Sequence, residues 1–320
     1  MNAYIVRRLA GLIPILIGIS LLVFFIMRML PGDVAEMLLM GDAEKMTRVS
    51  PEVLAAMRMQ LGLDVPLHEQ YLNWIGGLLQ LDAGNSLWSG RPVFTEIGER
   101  VGLTFQLALM AMVTGAAIAI PVGVFSALNQ DSWADYLVRS ITILGLAIPG
   151  FWMATLLILF LTVFFNWAPP LGFVPFFEDP LTNLQQLIWP ALVIGIHNAA
   201  VVARMTRSTV LEVMRDDYIR TAWAKGLGLR TILIVHALRN AMLPVLTLLA
   251  LELAGLLNGT VIMEVIFTLP GIGRYLVDAI FHRDYPVVQA IVVIMAIVYV
   301  VLNLAVDLMY GVLDPRIRHK

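Results

Sequence analysis

Three lysines, Lys45, Lys225 and Lys320, are all that the chain offers to a phosphate-binding loop, and none follows a G-x-x-x-x-G run. The chain is therefore not itself a P-loop ATPase. Its five histidines, His68, His197, His236, His282 and His319, are too scattered for metal-ligand spacing, and H-E-x-x-H and G-x-S-x-G are both absent. There is no cysteine, which excludes thiolate nucleophiles, disulfides and Cys–metal sites. No catalytic, metal or cofactor site is expected. What remains is charge in costly places. Glu252, in L-A-L-E-L-A-G, and Asp307 interrupt long apolar runs, where an ionised side chain costs about 2.5–3.5 kcal/mol on insertion scales. Glu252 either lines a polar cavity or substrate path, or is buried in a pair with His197 or Asn198. Asp307 lies near the end of its run, where snorkelling or pairing with Arg316 accounts for it.

The second polar feature is an island from Arg204 to Pro244, rich in cations and still patterned as helix. Leu211, Met214, Tyr218 and Ala222 recur at i, i+3, i+7 and i+11, so they share one face. Glu212, Asp216 and Arg220 occupy another, with Asp216 four residues before Arg220 in the favourable order for a helix pair. Lys225 falls in the last turn, and Gly226 and Gly228 supply a stop. An amphipathic helix held between two apolar segments is either a membrane-surface helix or a dock for a soluble partner.

The elements that must position these residues are membrane spans. Of the 320 residues, 59% are hydrophobic and 14% charged, against about 25% charge in a soluble domain. Mean hydropathy is +0.84. The net charge of −2 gives no reason to expect nucleic acid. The run Leu9–Leu30 is long enough to cross about 30 Å of hydrocarbon, and no small-residue cleavage site follows it, so it is read as a retained first span. Five more follow at Val101–Leu128, Ala134–Phe165, Leu184–Ala203, Ile232–Ile266 and Tyr285–Tyr310. The segment 31–100 carries more acid than base, with short amphipathic pieces at Pro51–Leu61 and Leu67–Leu79. The loop Asn166–Asn183 has Glu178 and Asp179 but no Lys or Arg. Cations gather instead in the island, at Arg204, Arg207, Arg215, Arg220, Lys225, Arg230 and Arg239, and in the tail, at Arg316, Arg318 and Lys320. The positive-inside rule then orients the chain with both termini and the island in the cytoplasm. Pro14, Pro121, Pro149, Pro190 and Pro244 fall in or at the ends of spans, each singly a kink and together the mark of a bundle that rocks or opens.

Ordered motifs extend this reading. D-Y-I-R-T-A-W-A-K-G (Asp217–Gly226), H-A-L-R-N-A-M-L-P (His236–Pro244), P-G-I-G-R (Pro270–Arg274), R-D-Y-P-V-V-Q (Arg283–Gln289) and N-L-A-V-D-L-M-Y-G-V-L-D-P-R-I-R (Asn303–Arg318) stand in sequence. Before them come M-L-P-G-D (Met29–Asp33), L-G-L-D-V-P-L-H-E-Q-Y (Leu61–Tyr71) and S-G-R-P-V (Ser89–Val93). Together they resemble the DppB/OppB-type permease subunits of bacterial ABC importers for dipeptides, oligopeptides, nickel or glutathione, over nearly the whole chain.

That resemblance implies an all-α, six-span permease of the type I importer fold in the bacterial inner membrane. Its expected partners are a second homologous permease subunit, two cytoplasmic ATPase subunits that use ATP and magnesium, an extracytoplasmic substrate-binding protein and membrane lipid. The expected division is a first span at 9–30, an external segment at 31–100, spans two to four within 101–203, a coupling loop at 204–231, spans five and six within 232–311 and a cytoplasmic tail at 312–320. The loop Ser208–Gly228 is similar to the family's EAA loop, whose short helix docks in a groove of the ATPase. The motif glycine falls on Gly226 and its small residue on Ala222. Arg220-Thr221-Ala222 stands where the general motif has Glu-Ala-Ala, a substitution common to the peptide branch, and Trp223 where that branch usually has Arg. Asp217, Tyr218, Arg220, Thr221, Ala222, Lys225 and Gly226 are thus the expected ATPase-coupling residues. Pro149, Phe151, Trp152, Asn198, Glu252 and Asn258 are candidates for the translocation pathway. Glu252 replaces a residue that is often Gln, which admits a substrate with a cationic group. An ion-coupled secondary transporter is the alternative, but it leaves the motifs and the amphipathic island without a role.

Overall fold

A computed structural model describes residues 2–29, 33–41, 50–170 and 172–313. Lys45, the tail from 314 onward with Arg316, Arg318 and Lys320, and the side chains of Asn258 and Asp307 lie outside that description, and with them the expected Asp307–Arg316 pair.

The described chain is helical. In order come α1 (Asn2–Met29), α2 (Val34–Gly41), α3 (Pro51–Gln60), α4 (Leu67–Leu79), α5 (Val93–Leu128), α6 (Trp133–Ala147), α7 (Gly150–Phe165), α8 (Pro180–Val213), α9 (Asp217–Ala224), α10 (Leu229–Thr231), a π-helical turn (Ile232–Ala237), α11 (Leu238–Ile266), α12 (Ile272–Phe281) and α13 (Tyr285–Leu313). Among the described residues, five stretches are long and apolar enough to cross a membrane: Gly11–Met29, Val93–Leu128, Pro180–Val213, Leu229–Leu257 and Tyr285–Val306. The bent pair α6–α7 makes a sixth if it counts as one span.

That pair departs from the continuous span expected over Ala134–Phe165. α6 and α7 meet at an angle of 100°. Pro149 lacks an N–H to continue the ladder, and its ring drives the preceding residue out of the helical region, so Ile148 is extended at φ −83°, ψ 122°. Pro14, Pro121, Pro190 and Pro244 instead lie inside continuous helices.

The chain forms two compact units. The first comprises Met1–Val101 with Tyr275–Val301. Ser50 caps α3, accepting from the Val53 amide at 3.3 Å, with Pro51 in the first turn. α3 and α4 coincide with the two amphipathic pieces of the external segment. Phe24, fully buried, meets Tyr71 edge-on and stacks on Trp74, with ring centroids 5.4 and 6.1 Å away, and so anchors α4 on α1. A short turn bridged at Asn85 and Pro92 leads into α5. There Ser86 Oγ donates to Asp284 Oδ2 at 2.5 Å.

The second unit comprises Gly102–Arg274 with the chain from Leu302. Within it α5 meets α8 along two ladders of small residues at four-residue spacing: Ala111, Gly115, Ala119 and Gly123 against Ala191, Gly195, Ala199 and Ala203. A Cβ on Gly115 would stand 2.9 Å from the Gly195 carbonyl oxygen, and one on Gly123 would stand 2.6 Å from that of Ala203. Lipid tails supply little drive for helix association, so this close backbone approach is what holds the helices together. α11 packs on the same core through Val245, which lies with Ala199 and Val202.

Candidate functional site

The cationic island is two helices, not one. α8 runs on to Val213 and then breaks over Met214–Asp216, where the Arg215 and Asp216 amides turn back to the Glu212 and Val213 carbonyls at 3.0 and 3.1 Å. Asp216 caps α9 by position, extended at φ −66°, ψ 149°. The expected pair of Asp216 with Arg220 is not formed among the described residues. Asp217 takes that place, 2.9 Å from Arg220 Nη1.

α9 ends where Gly226 was expected to stop it, and its geometry explains why glycine is there. Gly226 has φ +77°, the left-handed region in which an L side chain is strained. Its amide bonds the Trp223 carbonyl at 2.9 Å, and the Leu227 amide reaches back to Ala222 at 3.3 Å, which is a Schellman stop. Leu227 also packs on the cluster formed by Ile219, Ala222, Ile232 and Ala237.

This cluster determines how α9 is held. Ile219 and Ala222 are buried, at 0% and 6% exposure. Ala222, one of the expected coupling residues, thus faces the chain's own core. Leu211 and Met214 also turn inward, packing beside Ala127, Val210 and Ala241. Tyr218 lies at the boundary: its hydroxyl accepts from Asn240 Nδ2 at 2.8 Å and donates to the His236 carbonyl at 3.4 Å. That carbonyl belongs to the π-helical turn, whose wide ring loosens the usual ladder. The outer face presents Asp217, Arg220, Thr221, Trp223 and Lys225. The Asp217–Arg220 pair on it is 93% and 74% exposed and adds little to stability.

A charge network joins α5, α6 and α8. Asp135, with no exposed surface, receives Arg207 bidentately, Nε to Oδ1 at 2.9 Å and Nη2 to Oδ2 at 2.6 Å. Ser126 Oγ donates to the same carboxylate, as does the Asp131 amide at 3.1 Å. Sequence reasoning passed over Asp135. The available signal was an acid three residues after a capping Ser132 in a run otherwise fit to be a span.

A second buried carboxylate was missed as well. Glu264 lies in the apolar run that carries Glu252, but it is the fully buried one. Thr104 Oγ1 donates to it at 2.6 Å and accepts from the Ile272 amide at 2.9 Å, while the Arg274 amide reaches Glu264 Oε2 at 3.0 Å. The P-G-I-G-R motif wraps this carboxylate. A Cβ on Gly271 or Gly273 would collide with it.

The candidate pathway residues fall in two places. Pro149, Phe151 and Trp152 stand at the α6–α7 break, with Phe151 and Trp152 about half exposed and Gly150 beside Met263 of α11. Ile194 faces Gly259, and Ala199 and Val202 face Val245, so α8 and α11 run antiparallel with Asn198 and Glu252 at one level. Both are partly buried. Of the two readings of Glu252, a pair with His197 or Asn198 is not seen among the described residues, and His197 Nδ1 is buried without a hydrogen-bond partner there.

Long apolar helices, one broken span and a packed loop helix between spans define a polytopic membrane protein. Residues 119–319 match the family described as binding-protein-dependent transport system inner membrane component, and residues 1–108 match that described as its N-terminal membrane component. The chain is 43% identical to the dipeptide transport system permease protein DppB of Escherichia coli K12, with 100% of each covered. It is 40% identical to the di/tripeptide transport system permease protein DppB of Pseudomonas aeruginosa UCBPP-PA14, again with 100% of each covered. The inward-facing MetNI methionine ABC transporter shares the fold, with a TM-score of 0.57 at 19% identity over 69% of this chain and 97% of that one. The chain belongs to the family of binding-protein-dependent transport system inner membrane components. It is a permease subunit of an ABC importer in the inner membrane, and ATP hydrolysis resides in a separate subunit. The ion-coupled alternative finds no support.

Proposed function

We propose that the chain forms half of the translocation pathway of an importer for di- or oligopeptides and couples it to ATP hydrolysis through α9. Support for the peptide class comes from the two DppB relatives, each matched over all of both chains. Both termini and the 204–231 loop lie in the cytoplasm, a second homologous permease completes the pathway, two ATPase subunits dock from inside, and a binding protein delivers substrate from outside. Glu252, level with Asn198 in the α8–α11 pair, lines the path and receives a cationic group of the substrate.

The observation that carries the coupling role is the two-sidedness of α9. Ile219 and Ala222 lock it to the π-helical turn that leads into α11, while Asp217, Arg220, Thr221 and Lys225 remain outward. A helix so held transmits closure of a docked ATPase to α11 as a rigid-body tilt. Arg220→Glu with Lys225→Glu alters only the outward face. The expected result is normal membrane levels, loss of the ATPase subunit on affinity purification and dipeptide uptake reduced at least tenfold. Unchanged uptake by the double variant would remove α9 from the coupling interface. In the same assay, Glu252→Gln should shift preference away from substrates with a free cationic group, and unaltered preference would leave Glu252 a structural residue.

A further inference from the structure

In the first unit, beside the end of α1, lies a cavity of about 450 Å³. Three of its lining side chains carry buried donors with no hydrogen-bond partner among the described residues: Arg28 Nη1, Trp74 Nε1 and Gln289 Nε2. They come from α1, α4 and α13, so their convergence is a tertiary feature. Gln289 is itself only 3% exposed. A buried donor left without an acceptor is destabilising, and more so when it is charged.

Arg28 is positioned as a built part of this wall. Its Nε and Nη2 both donate to Gln70 Oε1, at 3.0 and 2.8 Å, and its guanidinium lies 3.9 Å from the Phe24 ring centroid. Gln70 is held in turn by its amide, which donates to the Val65 carbonyl at 2.8 Å. This fixes which way the fork points and leaves Nη1 over. Among the described residues no carboxylate forms an ion pair with Arg28. Asp64 also lines the cavity, but it is exposed and forms no ion pair with Arg28. Water alone would therefore hydrate the three donors without neutralising the guanidinium at close range. An oxyanion accepts through several lone pairs and neutralises the guanidinium at once.

The geometry points to an oxyanion-binding site in this cavity, taking a carboxylate or phosphate group on Arg28, Trp74 and Gln289. Arg28 is the last residue but one of the span Gly11–Met29, at the depth where hydrocarbon gives way to headgroups. The group therefore belongs either to a phospholipid headgroup or to a small soluble anion. The site is independent of α9 and of the direction of transport.

The test uses the full chain, with the subunits that co-purify, in dodecyl maltoside, a detergent without phosphate. One arm titrates inorganic phosphate and acetate by calorimetry. The other counts phosphatidylglycerol molecules retained in native mass spectrometry. Arg28→Gln removes the charge. Gln289→Met keeps volume and charge but removes one donor, so the question stays answerable if the arginine variant does not fold. Saturable heat in the first arm, weakened about tenfold or more by either variant, identifies a soluble anion. Retained lipid that is lost in either variant, without heat from phosphate or acetate, identifies a headgroup. Binding that is absent from both arms, or equal in wild type and Gln289→Met, overturns the site.

Discussion

Asn240 donates to the Tyr218 hydroxyl at 2.8 Å, joining the loop helix α9 to the first turn of α11. The same hydroxyl reaches the His236 carbonyl in the π-helical turn, so one side chain ties the short helix to both parts of the rod it is proposed to move. Replacing Tyr218 by Phe keeps the ring and removes both bonds, each worth about 0.5–1.5 kcal/mol net. The protein should still fold and insert. Amide hydrogen exchange over residues 232–237 should speed up about tenfold, and ATP hydrolysis should respond less to substrate. Unchanged exchange in that turn would mean that the apolar cluster alone holds α9.

Asp135 and Arg207 form a buried charge pair between α6 and α8, with side-chain exposures of 0% and 20%. Breaking such a pair from one side costs about 3–5 kcal/mol because the other charge is left buried. Asp135→Leu should therefore lower the melting temperature of the purified protein sharply. Asp135→Leu with Arg207→Met should recover part of the loss. Recovery stays partial because Ser126 and the Asp131 amide also bond this carboxylate. A double variant no more stable than Asp135→Leu would show that the pair is not what joins α6 to α8.

Tyr275, in α12 and outside the spans, donates to buried Glu96, and Arg100 lies 4.2 Å from its ring centroid. Burial first, and then the bond to Glu96, push its phenol above the ordinary value of 10.0. A group whose folded pKa is raised stabilises the fold fully below its unfolded pKa and ceases to do so as pH climbs through the folded one. Melting temperature should thus fall above about pH 10, more steeply in wild type than in Tyr275→Phe. Parallel curves would show that Tyr275 is accessible to ionise in the folded protein.

Much of the site was legible because it depends on neighbours in sequence. Gly226 was readable as a helix stop, and its φ of +77° is the reason a glycine stands there. Of the four residues read from spacing as one face, Leu211, Met214 and Ala222 pack inward while Tyr218 lies at the boundary, and the helix that was to carry them is broken at Met214–Asp216. The Asp216–Arg220 pair was misread for the same reason: a capping residue lies outside the helical register, so its spacing to Arg220 no longer implies a shared face. Pro149 was recognised as an interruption, but a single proline is compatible with a mild kink or a right-angled break. Which of these forms depends on what the flanking halves pack against.

The chain's apolar runs, their lengths and the distribution of cations are local quantities, and they suffice to establish a multi-span membrane protein with a polar loop helix. The ordered motifs further suffice to suggest the family. Charge partnership is different, because it joins residues far apart in the chain. Glu252 and Glu264 look alike in sequence, yet only Glu264 is enclosed, by Thr104 and the backbone of the P-G-I-G-R turn. Asp135 meets Arg207 across 72 residues, and the donors of Arg28, Trp74 and Gln289 converge from three helices. Desolvation makes each of these groups costly wherever it is buried, and only the packing of helices decides which ones find a partner.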